Sequence, residues 1–384
     1  MSDSDTYSLL VTDLSTRKAF DLANIMRSHN IDLIFCDALN VADDFMLRSA
    51  YKGQIELLRK DENFNKDLSL ILEKYSDKKI VYIPIEEDTT ILVYDFLAQN
   101  RYKNFYHNLP PEKSFQTVRD KGVFATFCEQ NDIPVPKIYD FDTLLQMDVL
   151  PSPLILKPRS GSGSIGIRFI DTKEELEACK ALPMEKYLIQ ERLENPKDIE
   201  GGFFLFDKGQ PVSYYGHKRI RTYPSTGGVS VYSKCELNPE LQVLGEEVLK
   251  KLQWSGLAMV EFLYDTKSNS YKIIEINPRL WGSLMLSEFC GSRMLENYCR
   301  SALNQTLYPV DIQENRYLRW LFPWDILAYI QTKGGIKHFW MLDRAHTCYV
   351  NFSYGSFRRS VFFTFYNIVN PRKLRKLYQK VIGL

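Results

Sequence analysis

Two acidic residues stand inside apolar, β-forming runs that flank one polar turn. The segments are, in chain order, Met259–Leu263, Asp265–Ser270 and Tyr271–Ile276. Such a pattern predicts a β-hairpin. With the hairpin centred near Ser268, Glu261 lies opposite Glu275, and side chains directly opposite on antiparallel strands share one face of the sheet.

The face that carries these two acids is predicted to bind a metal ion. Strand periodicity places Asn277 on the face of Glu275, and Arg279 follows with the same parity. Two facing carboxylates repel each other unless a cation lies between them, and oxygen ligands of this kind suit Mg²⁺. An exposed acidic hairpin is the alternative, but it does not explain why the acids lie inside apolar runs.

A second motif, Gly161–Gly166, fits G-x-G-x-x-G. It follows the short strand Leu154–Lys157 and precedes the apolar, β-branched run Ile165–Ile170, while the next helix signal is Thr172 with Glu175. The glycines therefore join a strand to a strand. A dinucleotide-binding turn requires a strand that leads directly into a helix, so this context argues against NAD.

Such a loop can still hold phosphate. Without Cβ atoms, its amides can close over an anion, and Lys157 lies at the end of the preceding strand. The alternative, which these residues alone do not exclude, is a flexible surface hairpin.

The first hundred residues alternate strands with helices, which predicts a parallel sheet covered by helices. The predicted strands are Tyr7–Asp13, Ile31–Asp37 and Lys79–Ile85, and the helices are Ser15–His29, Asn65–Tyr75 and Thr89–Asn100. The turn TDLST after the first strand has no glycine, so we do not expect the main cofactor site here. The acids Glu86, Glu87 and Asp88 either line a crevice or simply begin a helix.

The order of four features resembles the ATP-grasp superfamily, which includes biotin carboxylase and the carbamoyl phosphate synthetase large subunit. In sequence order these features are a lysine, the motif K-P-x-x-G-x-G-x-x-G, a run ending in Q-E-x-L, and E…E-x-N-P-R. The resemblance runs from about Ser114 to Tyr308 and implies an α/β chain with an α+β catalytic part. The expected domains are residues 1–113, an open α/β pre-ATP-grasp domain; 114–310, the ATP-grasp domain; and 311–384, a basic aromatic extension. Within the second domain, Arg119–Gln130 is predicted as a single helix.

The resemblance also implies roles for individual residues. Lys121 and Lys157 would contact phosphates, and the glycine loop, with Gly161, Ser162, Gly163 and Gly166, would cover the triphosphate. Ile189–Leu193 would be the hinge that reads adenine, with Gln190, Glu191 and Leu193, and Glu200 or Asp198 would bind ribose. Glu261, Glu275 and Asn277 would hold Mg²⁺, with Mn²⁺ as an alternative, and Arg279 and Lys157 would act in catalysis.

The chemistry that the resemblance implies is transfer of phosphate from ATP to a carboxylate, followed by attack of an amine and release of ADP and phosphate. Phosphorylation of a hydroxyl is the alternative within the family, and a nucleotide-binding protein without catalysis is the alternative outside it. The segment Tyr214–Glu236 contains His217, Arg219 and Arg221, which would hold an anionic substrate; a solvated basic strand is the other interpretation.

Residues 316–384 contain twelve Lys or Arg and two Asp, a net charge of +10, and they are rich in aromatic residues. This composition suits a membrane interface or an anionic polymer, although no nucleic-acid motif is present. The alternative is an appendage that packs on the catalytic body. Lipid- or polymer-linked substrates, small molecules and a homodimeric partner are all compatible with the sequence.

Seven scattered cysteines without C-x-x-C predict reduced thiols and neither a disulfide framework nor a zinc site. The polar start MSDSDTYSLL predicts no secretory signal, and no apolar run approaches the ~20 residues of a membrane span. We therefore expect a cytoplasmic location, with peripheral contact at the inner face of the membrane as an option.

Overall fold

The computed structural model describes residues 6–161, 166–193, 199–223, 229–331, 345–350, 352–353 and 357–369. Within these ranges the chain forms three sheets, and helices cover the first of them. No helix among these residues has the length and hydropathy that crossing a membrane would require.

The first sheet is parallel, with strand order β3-β2-β1-β4-β5. Its strands are β1 Ser8–Val11, β2 Asp32–Asp37, β3 Ile55–Leu57, β4 Ile80–Tyr82 and β5 Phe105–His107. Its helices are α1 Arg17–Ser28, α2 Leu39–Ala42, α3 Phe45–Tyr51, α4 Phe64–Lys74 and α5 Glu87–Gln99. β1 and β4 are buried throughout, as expected for strands with helices on both faces. The predicted open α/β domain is confirmed.

The turn after β1 shows what replaces glycine there. Asp13 has a φ of 58° and is buried, and its carboxylate accepts hydrogen bonds from Thr12 Oγ1 at 2.6 Å and Thr89 Oγ1 at 2.8 Å. Lys60 forms an ion pair with it. Side chains thus occupy the end of β1, where a dinucleotide fold would bring backbone amides to a pyrophosphate.

The second sheet is antiparallel, with order β6-β9-β7-β8. Its strands are β6 Ile138–Tyr139, β7 Leu154–Pro158, β8 Arg168–Ile170 and β9 Tyr187–Glu191, and the nearby helices are α6 Glu112–Arg119, α7 Lys121–Gln130, α8 Phe141–Gln146 and α9 Lys173–Ala178. The glycine loop joins β7 to β8, so the predicted strand-to-strand connection is confirmed. The predicted capping box of Thr172 and Glu175 is present at α9.

The helix predicted over Arg119–Gln130 is wrong at its start. α6 ends at Arg119, and α7 begins at Lys121. Between them Asp120 is extended, and its carboxylate accepts hydrogen bonds from Gly122 N at 2.8 Å and Val123 N at 3.1 Å. An aspartate that caps a helix in this way ends one helix and begins the next.

The third sheet has the order β14-β13-β10-β11-β12-β15-β16. Its strands are β10 Glu200–Asp207, β11 Gln210–Tyr223, β12 Val229–Cys235, β13 Gly256–Asp265, β14 Ser270–Asn277, β15 Tyr317–Arg319 and β16 Thr347–Tyr349. Its helices are α10 Pro239–Lys251, α11 Leu284–Phe289, α12 Met294–Ala302 and α13 Ile326–Gln331, and α14 Phe357–Val369 follows. One buried core runs from the first sheet, with Leu9 and Val81, to the third, with Phe203 and Trp281.

The C-terminal extension is built into this body. β15 pairs with β12 and β16 with β15, so the third sheet continues past residue 311. Helix α14 packs on the first domain, where Phe363 stacks on Phe20 at 4.3 Å and Arg359 Nε donates to Asn24 Oδ1 at 2.8 Å. The described parts of the extension, up to Val369, are therefore packed on the protein, whereas the basic segment 371–384 lies outside the described residues.

A histidine links the first domain to the helices beneath the third sheet. His29 caps the end of α1, with Nε2 3.0 Å from Glu288 of α11 and Nδ1 3.3 Å from Glu296 of α12. Hydrogen bonds to these two carboxylates raise the pKa of His29 to about 10, although partial burial opposes the shift.

We expect His29→Asn to lower the free energy of unfolding by about 1 kcal/mol at pH 6, a value reduced for the partial exposure of the pair. Because the folded pKa is raised, the stabilisation is complete below pH ~6.5 and is lost as the pH rises through ~10. Urea titrations at pH 6 and pH 10.5 measure this. The exposed His346 provides the control through His346→Asn, and an equal loss at both pH values would contradict the prediction.

Candidate functional site

The acidic hairpin forms as predicted. Glu261 of β13 pairs with Glu275 of β14, and a bulge directly after Glu261 shifts the register so that Phe262 pairs with Ile273. Asn277 Nδ2 donates to Glu275 Oε1 at 3.0 Å, which places the amide on the face of the carboxylates. Glu261 is buried, so this is no exposed acidic turn.

Two cations from different elements contact the acidic pair. Arg219 of β11 donates from Nη2 to Glu261 Oε1 at 2.6 Å. Lys121, the first residue of α7, lies with Nζ 3.3 Å from Glu275 Oε2 and donates to the carbonyl of Gly161 at 2.8 Å. Lys121 thereby connects the start of the glycine loop to the hairpin.

Burial and proximity separate the pKa values of the two carboxyls. Burial raises the pKa of Glu261 to about 7, with Arg219 opposing the rise and Glu275 adding to it. Burial also acts to raise the pKa of Glu275, but Lys121 and the hydrogen bonds from Glu261 and Asn277 hold it below its usual value. Two carboxylates this close favour a proton or a cation between them.

Lys157, at the end of β7, is a half-buried cation close enough to the acidic pair for the charges of Glu275 and Glu261 to affect its pKa. Burial lowers the pKa of its ammonium to about 8, while Glu275 raises it and Lys121 lowers it further. Within the part of the chain that the structure describes, this ammonium has neither a hydrogen bond nor an ion pair. A charge held in this way is available to an anion.

Arg279 connects the hairpin to the first domain. Its Nη2 donates to Asn277 Oδ1 at 2.7 Å, and its Nε lies 3.2 Å from Glu87 Oε1 at the start of α5. Lys18 of α1 pairs with Glu86 at 2.7 Å, and burial together with the charge of Arg279 lowers the pKa of Lys18 to about 8. The acids at the start of α5 therefore begin a helix, and two of them, Glu86 and Glu87, also form ion pairs with cations of other elements.

Lys18 is a site residue that the sequence reasoning missed. The signal that could have found it is topological, because the carboxyl ends of β1 and β4, the neighbouring strands on either side of the point where the strand order reverses, are where open α/β sheets bind ligands. Lys18 follows β1, and Glu86 and Glu87 follow β4.

The residues predicted for adenine and ribose lie where the chain passes from the second sheet to the third. Gln190 is buried and its Nε2 donates to the carbonyl of Pro136 at 3.3 Å, while Glu191 Oε1 accepts from Lys137 N at 3.0 Å and from Lys272 Nζ. Their side chains are thus engaged within the protein, and the backbone N–H groups of Glu191 and Arg192 donate to the carbonyls of Lys137 and Pro153. Leu193 is half-buried, where the chain leaves β9.

Glu200 begins β10 and accepts a hydrogen bond from Tyr271 Oη at 2.7 Å. The glycine loop is described only at its two ends, where Gly161 and Gly166 have φ values of 104° and 77°, which favour glycine. Three predicted site residues lie outside the described residues: Ser162, Gly163 and Asp198.

The basic strand does not present three cations to the site. His217 is buried, and burial together with Arg219 lowers its pKa to about 3, so the interpretation of His217 as a cation is corrected to a neutral ring that contacts Ser283 Oγ at 3.1 Å. Arg221 forms an ion pair with the buried Asp325, beyond a register shift that separates it from Arg219. Of these three residues, Arg219 is the one that contacts the acidic pair, through Glu261.

The donor set fits Mg²⁺ better than a transition metal. Across the described ranges, no three His, Cys, Asp or Glu side chains gather as ligands. Two carboxylates and one amide oxygen suit a hard cation that takes its other ligands from water or phosphate. Burial is the main cause of the raised pKa of Glu261, and Arg219 only partly opposes it, so a bound cation would stabilise the charged form of this carboxyl.

Comparison with known proteins finds a family model that matches part of this chain. Residues 118–283 match the model of the ATP-grasp domain. Among curated proteins, the chain is 23% identical over 194 residues to the mitochondrial methylcrotonoyl-CoA carboxylase subunit alpha of Glycine max, a match over 44% of this chain and 26% of that one. The chain therefore spans only about a quarter of that relative.

Solved structures show the same fold over most of the chain. The biotin carboxylase domain dimer of 2-oxoglutarate carboxylase from Hydrogenobacter thermophilus, in complex with MgADP, ADP and bicarbonate, has a TM-score of 0.59 at 18% identity and covers 81% of this chain and 73% of that one. The L-amino acid ligase of Bacillus licheniformis has a TM-score of 0.56 at 15% identity, covering 81% and 78%.

Proposed function

We propose, from the premise that this chain contains an ATP-grasp domain, that the protein is an ATP- and Mg²⁺-dependent ligase. It activates a carboxylate as an acyl phosphate, which an amine then attacks, and it releases ADP and phosphate. The observation that carries the proposal is the facing pair of Glu261, which is buried, and Glu275, which is half-buried, with Asn277 bonded to Glu275 and with Lys121 and Lys157 near the pair. A binding-only relic would have no need of both carboxylates.

Glu261, Glu275 and Asn277 would hold Mg²⁺, or Mn²⁺ in its place. Bound there, the metal would neutralise charge on the β- and γ-phosphates of ATP. The ion pair of Arg219 with Glu261 would keep one carboxylate oriented while leaving its second oxygen available. Lys121 would exchange its contact with Glu275 for one with phosphate.

The first step joins the substrate carboxylate oxygen to the γ-phosphorus and breaks the bond from that phosphorus to the bridging oxygen, which leaves with ADP. In the second step the amine nitrogen attacks the acyl carbon and the bond from that carbon to the phosphate oxygen breaks. Phosphate leaves with the electron pair of that bond, and the proton lost by the amine passes to the phosphate or to water. Because phosphoryl transfer needs positioning and charge neutralisation, Lys157 and Arg279 suffice as cations and no nucleophilic side chain is needed.

The acceptor would lie between the hairpin and the first domain. Arg279 reaches Glu87, Lys18 pairs with Glu86, and the charge of Arg279 lowers the pKa of Lys18, so two cations here face two carboxylates. An anionic carboxylate substrate would compete with Glu86 and Glu87 for these cations. Arg219 would add a third cation from the sheet side.

The remaining parts of the proposal concern the partners and the location. We expect small-molecule substrates, or lipid- or polymer-linked ones, and a homodimer in the cytoplasm. The dimer has the support of one relative, the biotin carboxylase domain, whose structure is that of a dimer. Reduced thiols agree with the location, because all seven cysteines are buried and unpaired.

The deciding experiment is release of ADP from Mg-ATP across a matrix of carboxylates and amines. We expect ADP release that requires both a carboxylate and an amine, with a new amide seen by mass spectrometry. ADP release with a phosphorylated hydroxyl compound as product would show that the protein is a kinase and not a ligase. Binding of Mg-ATP without ADP release, whichever carboxylate and amine are supplied, would contradict the proposal that the protein is an enzyme.

A further inference from the structure

A recess lies between the first domain and the C-terminal extension. Helices α1 and α14 and the segment 320–324 contribute its lining, to which the acidic hairpin contributes nothing. Its volume is about 30 Å³, which is room for about two water molecules at ~10–15 Å³ each. Trp324 and Thr364 of the lining are half-buried, so the recess is not sealed from solvent.

An ion pair on α1 lines this recess and is only half formed. Arg17 Nε lies 3.1 Å from Asp21 Oδ2, four residues further along the helix. The second donor and the second acceptor, Arg17 Nη2 and Asp21 Oδ1, are buried and have no hydrogen-bond partner among the described residues. In a bidentate pair these two atoms would bond to each other. One donor and one acceptor of the pair therefore remain to be satisfied.

The burial of this ion pair makes the missing partners notable. Asp21 is fully buried, and burial raises its pKa to about 6, although Arg17 acts to lower it. Burial also lowers the pKa of Arg17. Buried polar atoms in proteins nearly always have a hydrogen-bond partner, from the protein or from another molecule. A polar occupant of the recess would supply the two partners that the chain does not.

Flat aromatic rings surround the ion pair. The guanidinium of Arg17 lies 3.8 Å from the ring centroid of Trp320, a cation–π contact. Trp324 meets Trp320 edge-on at 5.8 Å, and Phe363 of α14 stacks on Phe20 of α1 at 4.3 Å. The recess thus combines one hydrogen-bonding pair with aromatic walls.

We propose that this recess binds the carboxamide group of a small, neutral aromatic molecule. The carbonyl oxygen accepts from Arg17 Nη2, and the amide N–H donates to Asp21 Oδ1. A carboxamide has few enough atoms for the small volume, and the attached ring stays on the half-buried side, against Trp324. The occupant is neutral because Arg17 and Asp21 balance each other, so an anion would meet the carboxylate and a cation the guanidinium. The proposal does not depend on the ligase chemistry.

The test measures binding of benzamide to the full-length protein by isothermal titration calorimetry. We expect a dissociation constant of about 1 mM or lower, which is within reach of a ligand with about nine non-hydrogen atoms. N,N-dimethylbenzamide has no N–H to donate to Asp21, and benzoate brings a negative charge to the same carboxylate. Both should bind at least about tenfold more weakly, as expected when one hydrogen bond to a charged group is lost. All three ligands are compared on the unmodified protein, so this comparison does not depend on whether a variant folds.

Two variants test whether the ligand lies in the recess. Arg17→Lys keeps the charge beside Asp21 but removes Nη2, and it should weaken benzamide binding at least about tenfold. Thr364→Phe places a ring in the recess from α14 and should abolish binding. The matched control is Thr117→Phe, at a half-buried threonine of α6, which should bind benzamide like the unmodified protein.

Failure of benzamide to bind at about 10 mM would show that water alone fills the recess, and it would overturn the proposal. Equal affinity for benzamide and N,N-dimethylbenzamide, or for benzamide and benzoate, would also overturn it, because the ligand would then not use the ion pair. Binding that survives Thr364→Phe in a variant with a cooperative thermal transition would place the ligand elsewhere and overturn it too.

Discussion

Replacing Glu275 with glutamine is expected to lower ATP turnover at least about 100-fold while the protein stays folded. Loss of a residue that only orients a metal ligand commonly costs 10- to 100-fold, so loss of a ligand charge should cost at least as much. Glutamine keeps the shape of the side chain and can still accept the hydrogen bond from Asn277. The measurement is ADP release at a series of Mg²⁺ concentrations.

Two further measurements make the Glu275→Gln result specific to the metal. Glu129→Gln changes an exposed glutamate on α7 and should leave turnover unchanged. Far-ultraviolet circular dichroism should be the same for both variants and the unmodified protein. Near-normal turnover of Glu275→Gln, with an unaltered Mg²⁺ requirement, would show that the acidic pair is not the metal site.

Lys157→Met is expected to change activity and stability in opposite directions. Turnover should fall at least about 100-fold, because a preorganised charge that meets developing charge in a dry site commonly contributes 10²- to 10³-fold. The free energy of unfolding should rise by about 1 kcal/mol, because the half-buried ammonium has no hydrogen bond or ion pair among the described residues and methionine fills a similar volume without a desolvation cost.

Urea denaturation and ADP release on the same preparations test this pair of effects. Lys180→Met, at an exposed lysine of similar length, should alter neither quantity by a comparable amount. Lys157→Arg should keep the charge and lose less activity than methionine does. A variant Lys157→Met that is both inactive and less stable would indicate a structural lysine and would remove it from the proposed phosphate site.

The sequence predicted the hairpin because two short-range rules determine it. A polar turn between apolar runs fixes the register, and the period of two along a strand fixes the face, so Glu261, Glu275 and Asn277 could be placed together without knowledge of the fold. The bulge after Glu261 shifts only the outer part of the hairpin. The capping box at α9 was predictable for the same reason, since all its atoms belong to neighbouring residues.

Contacts between distant elements could not be predicted in this way. Lys18 comes near Arg279 only because the first sheet packs against the third, and Arg221 turns to Asp325 because register shifts interrupt the alternation of β11. The burial of His217 follows from Phe203 and Trp281 packing beside it, information that a basic segment in a sequence does not contain.

The docking of α14 on the first domain limits how the molecule can open and close. The chain runs from the first domain into the third sheet, and the extension then returns to the first domain, so these parts form a closed loop of contacts. A hinge motion between the first domain and the third sheet would have to break both the stacking of Phe20 on Phe363 and the contact of His29 with Glu288. The second sheet lies outside that loop, and its region is joined to the rest of the protein by contacts of Pro134 with Ile273, of Glu191 with Lys272 and of Arg159 with Asp120. Access of nucleotide to the acidic pair is therefore expected to depend on rotation of that small sheet, as a single moving part on a fixed frame.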